Sequence, residues 1–236
     1  MSRCARVVVP ECPHHVVARG VNRQRLFASG YDKQRYLRRF AALAEEVGVL
    51  VHGFCLMDNH LHWILTPLRP DSLARLFQRL HTWWAMDFNR RHHRCGHLFQ
   101  NRYHSTPMEE NHHWRALRYV EVNPRRAGVG AKLEEWEYSS AKAHLTGEAD
   151  PLIRLVLESW RARFGAQGWR EYLGETDREG EDELRKAQAG SRPWGRERWL
   201  EGLEQRYGRR LRWAPPGRPP AREQRRVERA RTLAAR

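Results

Sequence analysis

Two pairs of side chains have the types and spacing to do chemistry. His60 and His62 stand two apart in GFCLMDNHLHWILTP (residues 53–67), and Tyr119 and Asn123 stand four apart in HHWRALRYVEVNPRRAGV (residues 112–129). Imidazoles at i and i+2 of a β-strand project from one face with Cα atoms about 7 Å apart, so both rings can converge on one divalent cation. A His-x-His pair by itself is more often two ordinary polar or half-buried residues. A tyrosine one helical turn before a carboxamide presents a phenolic oxygen and an amide oxygen to the same point. The plainer reading of that pair is a half-buried core aromatic followed by a helix terminator.

The elements that must position these groups are readable from apolar spacing. Two β-type runs flank Asp58 and Asn59, which tolerate the positive φ values of a tight hairpin turn. On the second strand His60, His62 and Ile64 share one face, and Leu61, Trp63 and Leu65 share the other. Trp114, Leu117, Val120 and Glu121 follow helical spacing, and Pro124 predicts a stop near Asn123 because it pushes the preceding residue out of the α region. Upstream, residues 14–22 read as a first strand and 31–47 as a helix stopped by Gly48; 72–92 read as a second long helix and 98–108 as a fourth strand. Strand, helix, strand, strand, helix, strand is a split βαβ order. It predicts an α+β fold, a ferredoxin-like antiparallel sheet with two helices on one face and a further helix bearing Tyr119. If the two long helices cover Leu61 and Trp63, His60 and His62 look out from the opposite face, where the tyrosine helix can lie across them.

The order, spacing and identity of several stretches resemble the single-tyrosine HUH transposases, the IS200-like superfamily, and within it the REP-associated tyrosine transposases. The stretches are RVVVPECPHHVVARGVNRQRLF (residues 6–27), CLMDNHLHWIL (55–65), GHLFQNRYHS (96–105), ALRYVEVNPRRAGV (116–129) and YSSAKAHL (138–145). The resemblance implies that His60 and His62 bind metal, that Tyr119 is the nucleophile and that Asn123 is the third metal ligand. Two departures stand out. Asp58 takes the place of a usual proline before the turn asparagine, and Arg125 stands in the Asn-Pro-x-Arg-Ala-Gly segment. Neither removes a reactive group.

The implied reaction is cleavage and rejoining of single-stranded DNA bearing REP-type hairpins, through a 5′-phosphotyrosine and a free 3′-hydroxyl, with Mg²⁺ or Mn²⁺ as cofactor. Two imidazoles and an amide oxygen leave coordination positions open, which suits Mg²⁺ or Mn²⁺ better than structural zinc. Phenols ionise near pH 10, so the attacking oxygen calls for a metal or a nearby cation; Arg115, one turn back on the helix, is the expected cation. Arg19, Arg23, Arg102, Arg115, Arg125 and Arg126 are the candidate DNA-binding residues. The resemblance favours a monomer. The competing reading from another class is a DNA-binding module that keeps the fold without catalysis; a relaxase or replication initiator would carry larger partner domains.

Charge agrees with a nucleic-acid partner. Across 236 residues there are 43 Lys plus Arg against 28 Asp plus Glu, a formal +15, and only Lys33, Lys132, Lys142 and Lys186 are lysines. Arginine binds phosphate bidentately and stacks on bases, although codon bias also raises its number. The N-terminus lacks the pattern of a secretory signal, and the four cysteines form no C-x-x-C pair, so the expected place is the cytoplasm, on the nucleoid when DNA-bound. HHRCGH (residues 92–97) matches no common zinc spacing. The division expected is a transposase domain over 1–147, a helical extension over 148–213 and a basic tail over 214–236. Within the extension, 151–173 and 194–211 have helical spacing, and 174–193 is polar enough to predict a mobile connection. From residue 192 on, 14 Arg face 5 Glu, which suits either a solvated end or an electrostatic arm on DNA.

Overall fold

The computed structural model describes residues 6–129 and 132–212; the expected tail over 214–236 lies outside them. Four strands form one antiparallel sheet in the order β2-β3-β1-β4: β1 (His14–Arg19), β2 (Val49–Leu56), β3 (His60–Pro67) and β4 (His104–Pro107). Two long helices, α1 (Gly30–Val47) and α2 (Ser72–Arg91), cover one face, which gives the ferredoxin-like split βαβ arrangement. Ser29 caps α1 by accepting the Asp32 N–H, and Gly48 ends it at φ 69°. Leu61, Trp63 and Leu65 point into this layer, with Trp63 stacked on Phe40 at 3.6 Å between ring centres.

The opposite face carries α3 (Glu110–Glu121), followed by α4 (Asn123–Arg126) with Pro124 in its first turn. Gly53 of β2 permits the close approach: a Cβ there would lie 2.2 Å from Leu117 Cδ1 of α3. The C-terminal part adds α5 (Ala141–Thr146), α6 (Glu158–Arg163), α7 (Gly165–Gly174), α8 (Arg178–Gly190) and α9 (Glu197–Tyr207). Trp160, Trp169, Leu173, Leu184 and Trp194 share one apolar cluster with Trp114, Leu117, Tyr119 and Val120 of α3. Among the described residues, no helix is long and apolar enough to cross a membrane.

Three expectations are corrected. Residues 174–193 are not a loose connection, because they hold α8, capped where Asp177 accepts the Gly180 N–H and anchored by the fully buried Leu184. The fourth strand is only four residues long; before it, Phe99 makes a single bridge to Gly20. The hairpin turn does not use positive φ at Asp58 or Asn59. Contacts outside the hairpin hold it instead: the Asp58 carbonyl accepts the Leu26 and Phe27 N–H groups at 2.6 and 3.1 Å, and Lys33 Nζ lies 2.7 Å from Asp58 Oδ1.

Candidate active site

Strand alternation and register place His60 and His62 of β3 on the face toward α3, with Arg19 of β1 directly opposite His60. The two imidazole centres are 5.0 Å apart and nearly perpendicular. The Tyr119 ring meets His62 edge-on at 5.8 Å, and His15, from β1, at 5.9 Å. The two histidines and Tyr119, separated by almost sixty residues in sequence, are thus brought to one point, with Asn123 one turn along.

Hydrogen bonds fix where lone pairs point. Asn59 Nδ2 donates to the Arg23 carbonyl at 3.3 Å, so its Oδ1 is the atom that accepts from His60 Nδ1, at 2.7 Å. His60 therefore keeps a lone pair on Nε2. Asn123 Nδ2 donates to the Tyr119 carbonyl at 2.8 Å, satisfying a helix-end acceptor, and its Oδ1 is turned toward the His60 ring. The Asn123 side chain thus lies beside the His60 ring with its amide N–H already engaged on the Tyr119 carbonyl. His62 Nδ1 is engaged by His15 Nε2 at 2.9 Å, which leaves His62 Nε2 as the atom available to a metal. Two imidazole nitrogens and one amide oxygen suit a hard or borderline divalent ion, so His60, His62 and Asn123 fit the expected ligand role.

Burial keeps these rings neutral and so available as ligands. It lowers His60 to about 4, helped by the positive charge of Arg19 and partly offset by the Asn123 contact. It takes His62 well below its ordinary value, with His15, His60 and Arg19 adding to the effect, and lowers His15 to about 3.

The arginines divide. Arg19 borders the histidine pair. Arg126 stands over the Tyr119 ring at 4.8 Å and is tied to Glu181 at 3.0 Å. Arg23 meets the turn through its backbone carbonyl, Arg125 donates to the Leu173 carbonyl, and Arg102 lies in a separate cleft. Arg115 is not the cation beside Tyr119. Asp177 holds it bidentately at 2.6 and 2.9 Å, and its guanidinium packs on Trp194. The guanidinium groups beside the Tyr119 ring are instead Arg126 and one that sequence reasoning missed, Arg185 of α8, 5.7 Å from the ring centre and paired with Glu181 and Asp182. His15 was missed as well, although it alternates with Val17 and Arg19 onto the face of His62.

The tyrosine helix is held by a buried carboxylate. Glu121, fully buried, accepts from Ser140 Oγ at 2.5 Å, lies 2.6 Å from His144 Nδ1, and accepts from Trp169 Nε1 at 2.8 Å. Ser140 and His144 belong to YSSAKAHL, so that stretch acts as a brace for α3.

A family model described as transposase, IS200-like, matches residues 8–123. The solved structure of a REP-associated tyrosine transposase bound to a REP hairpin is similar at 14% identity and a TM-score of 0.50, covering 61% of this chain and 85% of that one. A solved structure described as a transposase of Deinococcus radiodurans R1 is similar at 19% identity, with a TM-score of 0.34, over 51% of this chain and 96% of that one. None of the curated proteins compared with the chain matches it. The match runs from before β1 to Asn123, just under half of the chain, and over that span the chain is similar to the IS200-like transposases.

Proposed function

We propose that this protein is a metal-dependent endonuclease and strand transferase that cleaves and rejoins single-stranded DNA carrying REP-type hairpins through a phosphotyrosine at Tyr119. The observation that carries the reading is the convergence of Tyr119 with the His60, His62 and Asn123 donors on one sheet face. The hairpin bound to the structural neighbour supports the substrate class.

His60, His62 and Asn123 would hold Mg²⁺ or Mn²⁺, which when bound supplies positive charge to a non-bridging oxygen of the scissile phosphate. Tyr119 Oη forms a bond to phosphorus while the bond from phosphorus to the 3′-oxygen breaks. The phenolic proton is lost and the leaving 3′-oxygen gains one, giving a 5′-phosphotyrosine and a 3′-hydroxyl. Attack by a 3′-hydroxyl reverses the exchange, so bond energy is conserved and no nucleotide is consumed. Arg126 and Arg185 place positive charge beside the phenol ring, where the developing anion is stabilised. Asn59 and His15 hold the two ligand rings in orientation, and Arg19 attracts the phosphate chain to the site.

The test is incubation of labelled hairpin-bearing single-stranded DNA with Mn²⁺ and either the protein or Tyr119→Phe, followed by denaturing electrophoresis. A covalent protein–DNA band lost in the variant is the expected result. DNA binding without any band would favour a non-catalytic binding module, and cleavage that persists in Tyr119→Phe would point to a nuclease using water.

A further inference from the structure

A tight turn beside the strand that carries His60 runs against the preference of one of its own residues. β1 ends at Arg19, opposite His60, and the chain turns over residues 20–24. The Val21 carbonyl accepts the Gln24 N–H at 2.9 Å, which closes a four-residue turn around Asn22 and Arg23. Both central residues are left-handed, Asn22 at φ 49° and Arg23 at φ 59°. That is the mirror-image turn in which asparagine suits the first central position and glycine the second. Asn22 fits. Arg23 does not, because a long side chain at positive φ crowds its own carbonyl.

Contacts from outside impose this shape. The Gly20 N–H donates to the Asn59 carbonyl at 2.9 Å, the Val21 N–H to the Leu98 carbonyl at 3.0 Å, and Gln24 Nε2 to the same Leu98 carbonyl at 2.9 Å. A Cβ on Gly20 would run into the Gln24 carbonyl oxygen, so the two ends of the turn close without room for a side chain there. Backbone atoms and the Gln24 amide make all of these contacts. Asn22, Arg23 and Arg25 are exposed, and among the described residues none of their side chains has a hydrogen bond or an ion pair. Folding therefore gains nothing from the Arg23 guanidinium, and glycine would hold the same backbone with less strain.

The turn adjoins the site. Asn59 Nδ2 donates to the Arg23 carbonyl at 3.3 Å and Asn59 Oδ1 accepts from His60 Nδ1 at 2.7 Å, so a single carboxamide joins the turn to the ligand ring. Arg19, just before the turn, borders the same ring. A DNA strand with its phosphate at His60 and Arg19 brings its neighbouring unpaired bases to the turn. A guanidinium fork matches O6 and N7 of guanine, and a carboxamide matches N6 and N7 of adenine. Attraction to phosphate is independent of sequence and would not call for a backbone fixed at both ends.

We propose that the turn at Asn22 and Arg23 reads unpaired purines next to the cleavage point, with Arg23 facing guanine and Asn22 facing adenine. Resting on the DNA-processing function above, this role makes the turn a determinant of which sequence beside the hairpin is cut.

Glycine at either position removes the side chain while favouring the backbone, so Arg23→Gly and Asn22→Gly should melt no lower than the parent. Full-length protein is mixed, in EDTA to withhold metal, with hairpin oligonucleotides whose single-stranded flanks are randomised, and the bound fraction is sequenced. The parent should enrich guanine at one flanking position and adenine at another. Arg23→Gly should lose the guanine preference alone, and Asn22→Gly the adenine preference alone, each roughly 5- to 150-fold, the range for one bidentate base contact. Arg23→Lys keeps the charge without the fork and should also lose the guanine preference. Arg38→Ala, exposed on α1, should keep both preferences. Should a glycine variant melt lower, Arg23→Lys decides alone. A parent that enriches neither base, unchanged preferences in the variants, or a loss of affinity uniform across all sequences overturns the reading role, and the proposed function stands if Tyr119 still becomes linked to DNA. A parent that enriches these bases yet forms no Tyr119 adduct with Mn²⁺ keeps the role of the turn and removes the catalytic function.

Discussion

His15 Nε2 lies 2.9 Å from His62 Nδ1, and the two rings are nearly parallel, 7° apart, on neighbouring strands. When His62 carries its proton on Nδ1 and donates it to His15, His62 Nε2 is left as a lone pair toward the site. His15→Ala should therefore weaken Mn²⁺ binding by roughly 10- to 100-fold, the usual effect of removing a group that orients a ligating histidine. Calorimetric titration of the folded variant checks this; unchanged affinity would show that His15 merely fills space.

Glu121 concentrates three contacts on a carboxylate with no exposure, joining α3 to α5 and α7. Glu121→Ala strands polar partners in the interior and should cost about 3–5 kcal/mol. Urea unfolding of parent and variant measures it, and a loss below about 1 kcal/mol would mean that the brace is not a stability element.

Asp177 joins Arg115, Arg118 and the first turn of α8, and these contacts hold its carboxyl down to about 2. Removing it should cost about 2–3 kcal/mol, through the missing helix cap and charge-assisted hydrogen bonds. Because α8 carries Arg185, Asp177→Ala should also slow formation of the covalent adduct. Parent kinetics in a variant whose melting temperature has fallen would separate α8 from the chemistry.

Stability should fall in acid well before the carboxylates titrate. His14 is fully buried, with Nδ1 directed to the Cys12 carbonyl at 2.7 Å and Nε2 accepting the Val9 N–H at 3.1 Å; burial lowers it to about 4. A histidine depressed in the folded state contributes stability that is complete above its unfolded value near 6.5 and is lost as pH falls toward 4, because the unfolded chain binds the proton more tightly. The contribution of His14 is about 3 kcal/mol at most. Unfolding midpoints should drop between pH 7 and 4.5, and a flat profile would contradict the burial assigned to His14.

The sequence was most legible where apolar periodicity is long. The two helices over the sheet and the His60 and His62 strand follow directly from alternation and helical spacing, and the Tyr119 and Asn123 pair from Pro124. What stayed hidden depends on contacts between distant segments. Residues 178–190 bury little besides Leu184, too thin an apolar stripe to announce a helix, yet Asp177 with Arg115 and Arg118 docks it. That docking exchanges the expected Arg115 for Arg185 beside Tyr119. The turn at Asp58 is likewise set by Lys33 and by backbone donors from residues 26–27, none of which local turn chemistry registers. His15 became informative only once strand pairing made it a diagonal neighbour of His62.

The most direct measurement of the central claim is the mass of the peptide bearing Tyr119, after the protein has reacted with hairpin-bearing single-stranded DNA and Mn²⁺ and been digested with protease and nuclease. A 5′-linked nucleotide on Tyr119 is the predicted result. Cleaved DNA with that peptide unmodified, or with the nucleotide on another residue, would contradict the account.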